Sequence, residues 1–287
     1  MSTVASVLTK VGYKIFESTN QSITATSEPS TAECLAWLNE GVEVLSNLLV
    51  ERRSQFGQST KKITTAKSFL IESITQANPG VVTVTEDHGL SSATTAYLSA
   101  ISGMIQLNNT TVTITVADTD AFSIGVDTSA YDEYTGNGIA NPKPYYNDFA
   151  AAVLATTHWA TCFYGANKYP MELVAYQESQ SYSPMDRGRP EAFHIDATGN
   201  IYLLPQAADD TYIIEIPYWP TPTELTSGST MPFGGLFDNY LVQGVVNAFM
   251  NRAEYSIDYE LFWSDYLLRR VKNLIKNRKT TLRQIRA

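Results

Sequence analysis

Three histidines, His88, His158 and His194, are the residues whose type best suits proton transfer or metal ligation near neutral pH. No two stand in an H-x-x-x-H or H-E-x-x-H spacing, so no helix face can offer two imidazoles to one ion. His88 belongs to a Gly-containing turn, and His158 lies beside Trp159 in an apolar stretch that reads as core packing. Nucleophiles lack their settings too. The chain has no G-x-S-x-G elbow, no G-x-x-x-x-G-K-[ST] loop and no Cys–His pair at a catalytic spacing. The acidic pairs Asp118/Asp120 and Asp209/Asp210 could hold Ca²⁺. Short polar loops, however, use Asp chiefly for hydrogen bonds to their own backbone. The expectation is a protein without catalytic centre, metal or cofactor. An enzyme acting on glycans or cell wall through Asp and Glu of the β region is a remote alternative that no spacing supports.

The composition favours contact over catalysis. The 287 residues are 44% hydrophobic and 11% aromatic, with 17 Tyr against 11 Phe. Tyr buries area while keeping a polar tip, which suits surfaces that stay wet until a partner arrives. No apolar run approaches the roughly 18 residues needed to cross a bilayer. The start, MSTVASVLTK, has no basic-then-apolar signal segment. The only cysteines, Cys34 and Cys162, read as reduced, buried thiols of a protein assembled in cytosol. Charge is divided along the chain. All 29 acids lie at or before Asp265, and after it come eight bases: Arg269, Arg270, Lys272, Lys276, Arg278, Lys279, Arg283 and Arg286. Such a tail suits an acidic partner, nucleic acid or protein, although bases also favour a solvated helix C-terminus.

These residues need elements to hold them. Ser30-x-x-Glu33 is a capping box, and Leu35, Leu38, Val42, Leu45 and Leu49 follow at helical spacing, so a helix is expected over 30–53. Tyr145–Phe163 is Ala-rich and apolar on most faces and reads as a buried helix. Two more helices are expected over 236–251 and 257–278. Between 71 and 138 the texture changes to short alternating runs (VVTVT, TAYL, TVTITV, AFSIG) separated by Gly and Asn, the pattern of a small all-β module. From Gly199 to Pro220 two strands apolar on both faces flank a polar loop, which predicts a hairpin needing cover on both sides. The predicted class is α+β: a helical core of four to five helices over 1–70 and 139–287, carrying a β-ribbon, with the module inserted at 71–138.

Two resemblances add to this reading. The D-H-G-L turn (Asp87–Leu90), G-M-x-x-L-N (Gly103–Asn108), D-x-x-x-F (Asp118–Phe122) and S-A-Y-x-x-Y-T-G (Ser129–Gly136) follow one another in order. Together they resemble a small β-barrel module first named from ubiquitin-activating enzymes and common in phage structural proteins. Ser91-Ser92-Ala93 departs from its usual Gly and Asp turn. The flanking chain carries G-R-P-x-x-F-x-x-D-x-x-G-N-I-Y-L-x-P (Gly188–Pro205) and Tyr-Trp-Pro at 218–220. It resembles the head-to-tail adaptor (connector) proteins of tailed bacteriophages.

That resemblance implies a virion protein of the neck, assembled in the bacterial cytoplasm. It would form a ring, usually of twelve copies, joining the portal protein to the tail nozzle around a channel for passing double-stranded DNA. Arg269, Arg270, Lys272, Lys276, Arg278, Lys279 and Arg283 would then dock on the portal. Tyr202, Leu204, Ile213, Tyr218 and Trp219 would meet a neighbouring subunit or the nozzle, and the module could hold a tail fibre. Another tail, baseplate or fibre-attachment protein is the runner-up.

Overall fold

The computed structural model describes residues 2–17, 21–54, 56–147, 149, 153–157, 159–183, 185–251 and 269. The described chain is mostly β, with sixteen strands in curled sheets and four α-helices. The helical core of four to five helices expected over 1–70 and 139–287 is not seen among the described residues, where most of 139–220 is strand instead. The chain divides into two compact units, Met1–Ser59 with Trp219–Ala287, and Thr60–Tyr218.

In the first unit, helices α1 (Val4–Phe16), α2 (Thr31–Glu51) and α4 (Asp238–Asn251) share one core. It contains Val4, Val7, Val11, Leu38, Leu45, Leu49, Leu241 and Val245. The Ser30–Glu33 capping box forms as its spacing predicts: Glu33 N–H donates to Ser30 Oγ, and Ser30 N–H to Glu33 Oε2. Helix α1 escaped the sequence reading because its own box pairs Thr3 with Ser6, without the Glu or Gln that marks the motif. The expected helix over 257–278 lies outside the described residues.

The second unit holds the rest. Strands β1 (Ser59–Thr64), β2 (Phe69–Ile74), β3 (Val81–Val84), β4 (Thr95–Ser102), β5 (Thr110–Thr113), β6 (Thr115–Val116), β7 (Ala121–Ser123) and β8 (Gly136–Asn141) come first. Of these, β2 to β8 form the module, in the order β5-β4-β8-β2-β3-β7-β6. Its core includes Phe69, Val82, Leu98, Met104, Ile114 and Phe122. Gly103 shows why the G-M-x-x-L-N segment needs glycine: its φ is 83°, and a Cβ would lie 2.0 Å from the Glu133 carbonyl oxygen.

Next come β9 (Val153–Thr156), β10 (Trp159–Tyr164), β11 (Asn167–Leu173), helix α3 (Tyr176–Ser179), β12 (Arg187–Gly188), β13 (Ala192–Ile195), β14 (Ile201–Leu204), β15 (Gln206–Ala207) and β16 (Ile213–Pro220). They build a second sheet, β1-β16-β10-β11-β13-β14, with β9 also on β16; β12 and β15 pair separately and in parallel. Two expectations fail here. The stretch read as a buried helix, Tyr145–Phe163, contains β9 and β10 instead. Ala160 and Cys162 point into the core while Trp159, Thr161 and Phe163 alternate outward, so period two wins over the alanines. Nor do the two strands of Gly199–Pro220 pair with each other. Strand β14 pairs with β13, and β16 with β10. The stronger turn lies earlier: Asp196 Oδ1 accepts from Thr198 N–H at 2.8 Å and Asn200 N–H at 3.0 Å, with Gly199 at φ 85°.

Candidate interaction surface

The second sheet has one fully covered face. Ala160 and Cys162 of β10, Met171 of β11, Phe193 of β13, and Ile214 and Ile216 of β16 are all buried. Alternation then sends the intervening residues outward. Cross-strand register aligns Phe163 with Ile213 on one side and Lys168 on the other, Thr161 with Glu215 and Pro170, and Trp159 with Glu172. Phe163 and Ile213 are direct partners, Pro170 stands one pair further along opposite Thr161, and Trp159 lies beyond that opposite Glu172, so three strands turn apolar and polar side chains to the same face. Trp159 is 54% exposed and Ile213 42%. Charged side chains stand among these residues. Lys168 Nζ lies 5.2 Å from the Phe163 ring centroid, and Lys62 Nζ is 2.9 Å from Glu215 Oε1. A face that mixes exposed apolar and charged side chains is suited to contact with a partner.

A second aromatic group crosses β13 and β14. Tyr176, His194, Tyr202 and Tyr145 follow one another with ring centroids 5.5, 6.1 and 5.8 Å apart. Tyr176 and Tyr145 are exposed at its ends. Tyr202 donates to Asp196 Oδ2 at 3.3 Å; burial and the adjacent carboxylate raise its pKa. Beside this row lies an open groove of about 840 Å³ lined by residues that include Phe149, Val153, Leu173, Glu178, His194 and Asp196. Its two carboxylates are committed locally. Glu178 Oε2 accepts from Ala175 N–H, and Asp196 organises the β13–β14 turn, whose hydroxyl and backbone donors hold its pKa far below the usual carboxylate range.

The residues singled out from sequence are spread among these places. Ile213 lies in the exposed patch. Tyr202 and Leu204 are half-buried on β14, and Tyr218 is half-buried with its ring centroid 5.0 Å from that of Phe149. Trp219 is buried and donates its indole N–H to Ser54 O at 2.9 Å, a structural bond within the first unit. Trp159 and Phe163 were missed because they sat in the presumed helix. The alternation W-A-T-C-F was the signal that could have found them. Arg269 is helical and exposed. Arg270, Lys272, Lys276, Arg278, Lys279 and Arg283 lie outside the described residues, as does His158.

The candidate chemical groups have structural settings. His88 is buried, its Nδ1 accepting from Leu90 N–H at 2.9 Å and its ring edge-on to Phe69 and Phe122. Asp118 and Asp209 accept from the backbone of their own turns. Cys34 and Cys162 are buried free thiols whose pKa burial pushes up to about 11. Among the described residues no three His, Cys, Asp or Glu side chains converge as metal ligands, and no helix is long and apolar enough to cross a membrane.

Comparison with known proteins bears on the module. The family model described as "Ubiquitin-activating enzyme E1 FCCH domain" matches residues 77–142. Ubiquitin-like modifier-activating enzyme 6 of Mus musculus is 38% identical over 99 residues, 34% of this chain and 9% of that protein. The protein of the same name from Homo sapiens is 43% identical over 76 residues, 26% of this chain and 7% of its own. The chain therefore spans under a tenth of the length of these relatives. Among solved structures, the major periplasmic domain of the cell shape-determining filament MreC covers 56% of this chain and 97% of its own at 10% identity. Its TM-score of 0.14 carries no likeness of fold. The inserted segment is an FCCH-type β module.

Proposed function

We propose that this chain is a structural protein of the tailed-phage neck, an adaptor whose copies form a ring between portal and tail nozzle. The observation that carries the reading is the outward face of the second sheet, where the exposed Trp159 and Ile213 stand among charged side chains, which suits a second copy of the chain. The adaptor-like segment Gly188–Pro205 supports it further. Its residues build the Asp196 turn and the β13–β14 hairpin that frame the aromatic row. The basic tail adds a positive segment for an acidic portal surface, and the ring would surround passing DNA without reading its sequence. No catalytic step is assigned.

The test is mass measurement of the full chain alone and mixed with assembled portal. A ring of copies on the portal supports the proposal. A chain that stays off the portal at every salt concentration, while remaining folded, overturns it. A monomer in isolation is compatible with assembly that waits for the portal, so the mixture decides.

A further inference from the structure

The short β12–β15 pair does more than fill a gap between two sheets. Both ends of the FCCH module are fastened to it. On the incoming side, Ser68 is fully buried and sends its N–H and its Oγ to the Ala207 carbonyl, at 3.0 and 2.8 Å. On the outgoing side, Asn141 Nδ2 donates to Gln206 Oε1 at 3.0 Å. Phe69 and Leu70 pair with Ala140 and Ile139, which holds the two crossings side by side. Two adjacent crossings define an axis, and a body joined only there could rock about it.

A third attachment reaches beyond the two crossings to Glu86, two residues past β3. Arg187, on β12, has its side chain only 12% exposed. It donates Nε to Ser68 Oγ at 3.2 Å and Nη2 to the Ser68 carbonyl, and Nη2 also reaches Glu86 Oε1 at 3.0 Å. Glu86 lies inside the module, immediately before the D-H-G-L turn. Its other oxygen takes Lys67 Nζ at 2.9 Å. A planar guanidinium can serve both sites at once, which a Lys ammonium cannot do with the same geometry.

We infer that Arg187 locks the FCCH module as a fixed arm at a set angle to the second sheet, by clamping Glu86 of the module and Ser68 of its incoming strand together. Glu86 behaves as a clamped carboxylate: hydrogen bonding and charge from Lys67 and Arg187 lower its pKa. The clamp goes beyond the adaptor reading and does not depend on it. A module held this way presents whatever it carries in a constant direction, where a flexible tether would sample many.

The experiment places spin labels on the whole chain at Ile105→Cys in the module and Tyr176→Cys at the start of helix α3, which contacts β13 of the host sheet. Both sites are well exposed, whereas Cys34 and Cys162 are buried. The expected parent distance distribution is single and narrow. Arg187→Ala should broaden it about two-fold or shift its centre, with module and sheet cores still protected from hydrogen exchange. Arg187→Lys should fall between. If Arg187→Ala does not fold, Glu86→Ala gives the same reading from a side chain 38% exposed, whose loss leaves both cores intact. An already broad parent distribution, or one unchanged in width and centre in a folded Arg187→Ala or Glu86→Ala protein, overturns the clamp.

Discussion

The FCCH module and the sheet that hosts it each have seven strands, yet they close in different ways. The module draws all its strands from Phe69–Asn141, with turns marked by Gly and Asn. The host sheet sets β1, at Ser59–Thr64, beside β16, at Ile213–Pro220, so its closure spans the whole insertion. A flexible loop of that length would carry a closure cost that grows slowly but steadily with length. Here the module folds on itself and pairs Phe69 with Ala140, so the host chain is interrupted by a compact body with adjacent ends. A contiguous sequence segment can therefore contain one complete sheet, while the other exists only once distant strands meet.

The sharpest way to break this comparison is to empty each core in turn. Phe122 in the module and Phe193 in the host sheet are both fully buried. Phe122→Ala and Phe193→Ala should each cost about 3–5 kcal/mol. Denaturant unfolding followed by hydrogen exchange should show Phe122→Ala lowering protection across β2–β8 while the host strands keep theirs at mild denaturant. Uniform loss across both sheets would mean that they form one cooperative unit.

The same contrast explains what could be read in advance. The module was legible because its signals are local: alternating runs of four to eight residues and the G-M-x-x-L-N turn at Gly103. The host was not, because nothing near Trp159 announces that its neighbours are Glu172 and, across β10, residues of β16. The alanines at 150–152 and 155 outweigh the alternation that follows them, so the local sequence favours a helix where a strand forms. The ribbon failed for a related reason. Ile201–Leu204 and Ile213–Pro220 are adjacent in sequence, but the Asp196 turn claims the first for β13 and leaves the second to β10. The exposed patch followed the strand error, since only correct pairing puts Trp159, Phe163 and Ile213 on one face.

A smaller effect should come from Trp219→Phe. The ring is kept, but the buried Ser54 carbonyl loses its indole donor. Leaving that acceptor unpaired should cost about 1–3 kcal/mol, measured as a lower midpoint in urea with unchanged slope. Because Ser54 and Trp219 both lie in the first unit, the module's exchange protection should not change, which separates this variant from Phe122→Ala.

Asp196→Asn tests the turn that redirected the ribbon. The carboxylate's folded pKa is lowered by its Thr198 and Asn200 donors. A depressed carboxylate contributes stability that is present above its unfolded pKa and lost as pH falls through the folded one. The parent should therefore be more stable than Asp196→Asn at neutral pH, and the gap should close on acidification below the ordinary carboxylate range. A difference of about 1 kcal/mol at pH 7 is expected, since the site is half-exposed and solvent screens it. A gap that stays constant with pH would assign the turn to shape alone.

A similarly small effect on folding, with the largest on assembly, is expected at the outer patch. Ile213→Ser and Trp159→Ser remove side chains about half of whose area already faces water, so each should lower monomer stability by only about 1 kcal/mol. Ile214→Ser, one residue along the same strand, buries a hydroxyl in the covered face and should be strongly destabilising by comparison. If the patch is where copies meet, Ile213→Ser together with Trp159→Ser should abolish ring formation on the portal while leaving a folded monomer. Normal rings from that double variant would move the contact elsewhere, with the row from Tyr176 to Tyr145 the next face to alter. Adjacent residues of one strand thus separate the two kinds of apolar surface: Ile214 holds the chain together, and Ile213 faces outward, where the proposed contact is tested.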